Sequence, residues 1–408
     1  MDFRKIADSY GTPLYIYDFD YITRRYLELK EAFKARKSIV FYALKANSNL
    51  SVLKHLRDLG AGCDCVSIGE VKRALFVGVP KYKIIFSGVG KCDAEIKEAL
   101  LNDILMINLE SFEEMLRVES IAKELEKVAR ISVRVNPNID AKTHPYISTG
   151  LHENKFGVDI QTAKKIYLKA KQSNFLDPVG IHFHIGSQIL EIEPFKEASK
   201  IVSDLVRSLN ALNIELKFFD IGGGLGIDYN GEKTIDPYAY AQAVLENLSG
   251  LDVTLACEPG RYLVGNSGYF LTKVLYEKEN SHKRFVIVDG AMNDLLRPAL
   301  YNTFHKVELL ESKNRPDSTL LCDVVGPICE SGDFFIKDIK LPKTKHDDLI
   351  VVHSAGAYGF SMSSNYNSRP RVAEVAYESG KYRLIRQRES FEDLISKEIS
   401  FLNSEKSE

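Results

Sequence analysis

The chain reads as a (β/α)8 barrel of the TIM type joined to a second, β-rich domain, and three observations lead there. Eight apolar, strand-like runs alternate with amphipathic stretches of helical period between about residues 38 and 258. Eight βα units in about 220 residues fit a closed barrel, which typically takes ~250, whereas a doubly wound open sheet usually has fewer strands. After about residue 265 the rhythm changes to short strands and turns with little helix.

Taken in order, the first 25 residues hold a short alternating strand, Pro13–Tyr17, before anything helical. The barrel strands are then expected at Ile39–Leu44, Cys63–Ser67, Lys83–Ser87, Ile104–Asn108, Ile131–Val135, Val179–His184, Leu216–Ile221 and Val253–Cys257. Between them Glu110–Lys127 and Pro194–Leu212 show the clearest helical period. In the last third, Phe285–Val288, Thr319–Val325, Asp348–Val352 and Tyr382–Ile385 read as strands, punctuated by Pro298, Pro327, Pro342 and Pro370. The strand at 13–17 has no place in the barrel rhythm and is expected to join this part. The expected division is therefore a barrel over 26–265 and a discontinuous β-sandwich or β-barrel domain built from 1–25 and 266–408.

Composition narrows the function classes. A hydrophobic content of 45% with 27% charged residues is that of an ordinary globular protein. A formal net charge of -2 without a long basic run argues against nucleic acid and anionic membranes as partners. The start, MDFRKIADSYGTP, lacks the apolar core of a signal peptide, and no apolar run is long enough to span a bilayer. Six cysteines in 408 residues do not make a disulfide scaffold, and Cys63 and Cys65 lack the spacing of common zinc knuckles. A reducing, cytoplasmic setting is expected.

In a (β/α)8 barrel the reacting groups collect at the C-terminal ends of the strands. The first strand ends in FYALKAN, Phe41–Asn47, which places Lys45 where a Schiff-base lysine would sit, desolvated and so supplying free amine near neutral pH. Asp64 ends the second strand, and Arg134 and Asn136 the fifth. The sixth ends in His182-Phe183-His184-Ile185-Gly186-Ser187, the seventh in Asp220-Ile221-Gly222-Gly223-Gly224, and the eighth in Cys257-Glu258-Pro259-Gly260-Arg261. The glycine run lets backbone N–H groups approach an anion, and strands seven and eight are where such barrels often bind phosphate. His182 and His184 project to one face of a strand. They suit either a metal pair or a ring stacked on an aromatic system, with His182 as an ordinary core histidine. Glu258 needs a cationic partner if buried, either a protonated pyridinium nitrogen or Arg261 or Arg134. Downstream, Cys329 beside Glu330 has the setting of an exposed proton donor.

With these residues assembled, the chain resembles the diaminopimelate decarboxylases, pyridoxal-phosphate enzymes of the alanine-racemase-like (fold type III) barrel class. YALKAN, HIGSQ, GGGLG, EPGR, GPICES and GAYG occur in the family's order along essentially the whole chain. The resemblance implies pyridoxal 5'-phosphate held covalently by Lys45, with His184 stacked on its ring. Ser187, Gly222, Gly223, Gly224 and Gly260 would hold its phosphate, and Glu258 its ring nitrogen. Asp64, Arg134, Arg261 and Tyr358 would also border the cofactor. Arg261, Arg297 and Tyr301 would surround the substrate's distal carboxylate, with Tyr358 beside them, and Glu330 would take the distal ammonium. Cys329 would return a proton after carbon dioxide leaves.

The implied reaction is decarboxylation of meso-2,6-diaminopimelate to L-lysine, the last step of lysine biosynthesis, by a homodimer with shared active sites. The alternative within the class is a decarboxylase of ornithine, lysine or carboxynorspermidine, which differs in whether a distal carboxylate is bound. An amino-acid racemase, a non-catalytic regulator and a metal hydrolase are more remote. Residues 138–157 have little periodicity and the length of a lid.

Overall fold

The computed structural model describes residues 1–140, 155–310, 315 and 320–404. Two compact units emerge, one formed by Ile22–Asp228 and Glu232–Leu263, the other by Met1–Tyr21, Tyr229–Gly231 and Val264–Glu408. The expected lid at 138–157 falls mostly outside the described residues.

The second unit begins with a helix, Phe3–Tyr10, where the sequence reading expected none before the first strand. Asp2 caps it by accepting the Lys5 N–H, and the helix buries a single residue, Ile6. Phe3, Ile6, Ala7 and Tyr10 recur at helical spacing and pack against the core of this unit, a periodic signal only eight residues long. β1 (Leu14–Asp18) follows.

The first unit is the barrel. β2 (Ser38–Ala43), β3 (Gly62–Cys65), β4 (Ile84–Phe86), β5 (Met106–Leu109), β6 (Ala129–Arg134), β7 (Leu176–His182), β8 (Phe218–Asp220) and β9 (Thr254–Cys257) are parallel and close on themselves, β9 pairing with β2 through Ser38↔Leu255. All eight expected strands are present, their ends shifted by a few residues. Phe41, Ile85, Met106, Val179 and Ala256, from five strands around the ring, pack into one cluster that fills the barrel. Many of the helices that follow the strands are capped: Asn49, Ser67, Ser111, Asp159 and Asp236 accept backbone N–H groups at their starts. This strand–turn–cap order sets polar side chains at one end of the barrel.

In the second unit the chain continues with β10 (Gly268–Glu279), β11 (Arg284–Val288), β12 (Val307–Leu309), β13 (Cys322–Val325), β14 (Phe334–Ile339), β15 (Leu349–Val352), β16 (Ala373–Glu378) and β17 (Lys381–Arg386). With β1 they form a mixed nine-stranded sheet. β1 lies between β10, to which it is antiparallel, and β16, to which it is parallel. Besides β1, β10 serves two further partners, pairing with β15 through Phe270–Lys273 and, past a bulge between Val274 and Tyr276, with β11. Alternate residues Leu14 and Ile16, Leu349 and Val351, Ala373 and Val375 point to one face and pack with Leu271 and Ile6.

Candidate active site

β2 runs directly into a single 3-10 turn, Leu44–Ala46, which carries Lys45 out of the barrel end. The Tyr42 hydroxyl donates to the Asn47 carbonyl (2.9 Å) and pins this turn from below. Lys45 Nζ lies 3.8 Å from Asp64 Oδ2; the lysine side chain is 40% exposed and the aspartate 1%. The desolvation expected of Lys45 is therefore not found: the 3-10 turn lifts its side chain to the open mouth. Asp64 is fixed by Ser87, whose Oγ donates to Oδ1 at 2.7 Å and in turn accepts from Asn108 Nδ2. Burial, then the charge of Glu258, pushes the Asp64 carboxyl up to about 6 against the pull of Lys45.

Glu258 follows β9, and its partner is neither Arg261 nor Arg134. Its Oε2 lies 3.2 Å from His182 Nε2, both side chains being buried. His182 is buried and hydrogen-bonded, as expected of a core histidine, and that bond also brings it beside Glu258. Burial pushes the Glu258 carboxyl up, but His182 and Lys45 outweigh it and hold it down at about 2, so it is anionic. Asp220, at the end of β8, behaves oppositely. Its Oδ1 accepts the Gly222 N–H (2.9 Å), while burial and then Glu258 push its carboxyl well above the usual range. Asp220 Oδ2 and Glu258 Oε1 meet no hydrogen-bond partner among the described residues. A proton carried by Asp220 and donated to Glu258 satisfies both. His182, Asp220 and Glu258 each bring a ligand atom within 4.8 Å of the others, a spacing that also suits a cation. His184, the other member of the histidine pair, is engaged elsewhere.

Its Nδ1 accepts the Gly223 N–H at 3.1 Å, which leaves the ring proton on Nε2. Desolvation, then Arg134 and Lys45, keep this imidazole well below its ordinary range, so it is neutral. Two N–H groups of the glycine run are consequently used inside the protein, on Asp220 and His184, rather than both being aimed outward as expected. The glycines are nonetheless required. A Cβ at Gly223 would sit 2.3 Å from the Glu258 carbonyl oxygen, and one at Gly224, where φ is +105°, 2.4 Å from that of Gly186. Arg261 is buried and donates through Nη2 to Ser187 Oγ (3.1 Å), joining the ends of β9 and β7. Gly260 packs against Ala43 and Ala46, the residues flanking Leu44 and Lys45.

Arg134 is committed to Glu110, a residue the sequence reading passed over. Nη1 donates to Glu110 Oε1 at 2.8 Å, and Glu110 Oε2 accepts the Gly157 N–H at 2.6 Å. The guanidinium also reaches the His184 carbonyl (3.5 Å) and lies 4.6 Å from the Phe156 ring. Its evident work is to hold the ends of β6 and β7 in place. Ser87, Asn108 and Glu110 all stand at the ends of β4 and β5, two strand ends not read for function.

In the second unit Arg297 and Tyr301 bound a short helix, Arg297–Tyr301, with Arg297 buried. Cys329 and Glu330 lie together on an exposed loop after β13. Asp333 ties that loop down by accepting the Ile328 N–H (2.7 Å), Asn367 Oδ1 accepts the Cys329 N–H (3.0 Å), and the Tyr366 hydroxyl donates to Glu330 Oε2 (3.0 Å). Tyr358 sits at φ +57°, an uncommon conformation for a bulky side chain.

The barrel residues fit pyridoxal phosphate. An amine at an open mouth suits its aldehyde, a buried anionic carboxylate suits a pyridinium N–H, and a glycine run too tight for any Cβ beside Ser187 and Arg261 suits its phosphate. Among the described residues no helix is long and apolar enough to cross a membrane.

Comparison with known proteins agrees. Residues 19–265 match the pyridoxal-dependent decarboxylase, pyridoxal binding domain family. A diaminopimelate decarboxylase of Campylobacter jejuni subsp. jejuni is 62% identical over 405 residues, 99% of this chain and all of the relative. The crystal structure of diaminopimelate decarboxylase from Helicobacter pylori, complexed with L-lysine, superposes with a TM-score of 0.95 at 54% identity, over 98% of this chain and 100% of that one. The enzyme of that name from M. jannaschii, also in complex with L-lysine, gives 0.92 at 38% identity, over 97% and 94%. The chain belongs to the diaminopimelate decarboxylase family of pyridoxal-dependent decarboxylases.

Proposed function

We propose that this protein decarboxylates meso-2,6-diaminopimelate to L-lysine and carbon dioxide. The observation that carries the proposal is the amine of Lys45 at a barrel mouth whose floor holds an anionic Glu258 among His182, Asp220 and Asp64. Pyridoxal phosphate, when bound, supplies the electron sink for the pair left by the departing carboxylate. Lys45 provides the amine that holds it. Glu258 retains a proton at the ring nitrogen and keeps that ring electron-poor, while the neutral His184 covers a ring face. Ser187, Arg261 and Gly222 to Gly224 with Gly260 bind its phosphate.

On the substrate, Arg297, Arg261 and Tyr301 take the distal carboxylate, Glu330 the distal ammonium, and Tyr358 completes the surroundings. Cys329 Sγ gives a proton to the substrate carbon after carbon dioxide leaves. Support for the last role comes from the exposure of Cys329 and from the bonds of Asp333 and Asn367 that fix its loop. We further propose the division into a barrel over 26–265 and a β domain from the rest, a homodimer in which Cys329, Glu330 and Tyr358 complete the partner's site, and a cytoplasmic location, in keeping with six free thiols.

The test is carbon dioxide release and lysine formation from meso-diaminopimelate by cofactor-loaded protein, with ornithine and lysine run alongside. Turnover of the first alone is expected, and C329A should lose at least about a hundredfold in kcat. Turnover of ornithine or lysine instead would overturn the assignment of Arg261, Arg297 and Glu330 while keeping the chemistry.

A further inference from the structure

His305 belongs to none of the roles above, yet it is fully buried and touches the residue that reads the distal carboxylate. The chain leaves the helix Arg297–Tyr301 through Asn302 in the left-handed region (φ +51°), turns back, and brings His305 beside Arg297, eight residues earlier. Arg297 Nη1 lies 2.9 Å from His305 Nε2. A guanidinium only donates, so Nε2 carries the lone pair and the ring proton is on Nδ1. That proton has its own acceptor, the His353 carbonyl at 2.9 Å, just past β15. The geometry therefore fixes the tautomer.

The second hydrogen of Arg297 Nη1 goes to the Tyr229 hydroxyl at 2.9 Å. The Tyr229 ring also stacks 4.8 Å from the guanidinium carbon and meets the His305 ring edge-on at 5.3 Å. With both Nη1 hydrogens used and one face covered, the guanidinium plane is set, and with it the direction of Nη2 and Nε. An arginine grips a carboxylate in a fork only through an edge aimed along the right plane.

We propose that His305, seconded by Tyr229, is a positioning residue that orients Arg297 and so sets selectivity for substrates carrying a distal carboxylate. The inference rests on the reading of Arg297 as the ligand of that carboxylate. Neither side chain need touch substrate. Loss of orientation should weaken every ligand that carries the carboxylate and spare those that lack it.

The experiment uses the cofactor-loaded enzyme and two competitive inhibitors, L-lysine, which keeps the distal carboxylate, and cadaverine, which lacks it. H305A should raise KM for diaminopimelate and Ki for L-lysine together, by about tenfold, with kcat changed less than about threefold and Ki for cadaverine unmoved. H305Q, which offers both an acceptor and a donor, should restore most of the loss. Y229F should shift the same two constants by about threefold. It also stands in if H305A does not fold, as judged by circular dichroism.

Equal weakening of both inhibitors, or a fall in kcat with KM unchanged, would overturn the proposal. R297M separates the two layers. If R297M preserves discrimination between L-lysine and cadaverine, the underlying reading of Arg297 fails. If R297M abolishes it while H305A and Y229F leave it intact, only the role of His305 fails.

Discussion

Asp220 and Glu258 lie buried at the same barrel end, one carboxyl neutral and the other anionic. Glu258 has the His182 imidazole against Oε2 and stays anionic; Asp220 has only the Gly222 N–H on Oδ1 and is driven to hold its proton. Asparagine reproduces both contacts of a protonated Asp220, an accepting oxygen and a donating amide. D220N should therefore keep kcat/KM within about threefold of wild type, whereas D220L leaves two buried polar groups unmatched, at about 1–3 kcal/mol each. A carboxyl whose folded pKa lies above its unfolded value costs stability as pH rises past that unfolded value, near 4. D220N removes that cost, so its advantage over wild type in urea unfolding should grow as pH climbs above about 4. A D220N variant as damaged as D220L would show that Asp220 is charged.

Much of the barrel was legible because each element announces itself locally. β-branched runs mark the strands, and stretches of helical period such as Glu110–Lys127 and Pro194–Leu212 mark the helices between them. The site was legible wherever a strand end carried an unusual residue, as with Lys45 and Glu258. Partnerships between strand ends were not: nothing local in Glu110 says that it will meet Arg134 at the end of the next strand, or in His182 that it will meet Glu258. Those pairings are set by ring closure. One such junction is testable at the helix Ile68–Phe76. Ser67 Oγ accepts the Glu70 N–H and Glu70 Oε2 accepts the Val66 N–H. S67A should cost about 1 kcal/mol in urea unfolding. Burial pushes the Glu70 carboxyl up to about 7, although the Val66 N–H opposes it. Its contribution is thus fully present below the unfolded pKa, about 4.3, and is lost as pH rises through about 7. E70Q should flatten that decline, and an unchanged pH profile would count against the assignment.

At the scale of the whole chain, two cores form by different rules. The barrel closes around side chains from alternating βα units, a pattern visible as rhythm, whereas the nine-stranded sheet recruits β1 from one end of the sequence and β16 from the other. β10 carries three pairings along one strand, with β1, β11 and β15, which no local period encodes. In the proposed site the cofactor meets groups drawn from β2, β3, β7, β8 and β9, so binding should register as stability of the entire barrel. A ligand that binds only the folded state adds RT ln(1 + [L]/Kd), about 2.7 kcal/mol at a hundredfold excess over Kd. Pyridoxal phosphate should accordingly raise the Tm of cofactor-free protein in proportion to the logarithm of its concentration. K45A removes the covalent hold but leaves Glu258, His184, Ser187 and Arg261 in place. Its Tm should still rise, by less, and the rise should vanish on dialysis, whereas that of wild type should persist. A K45A protein that ignores the cofactor altogether would mean that the glycine run, Ser187 and Arg261 do not form a phosphate site by themselves.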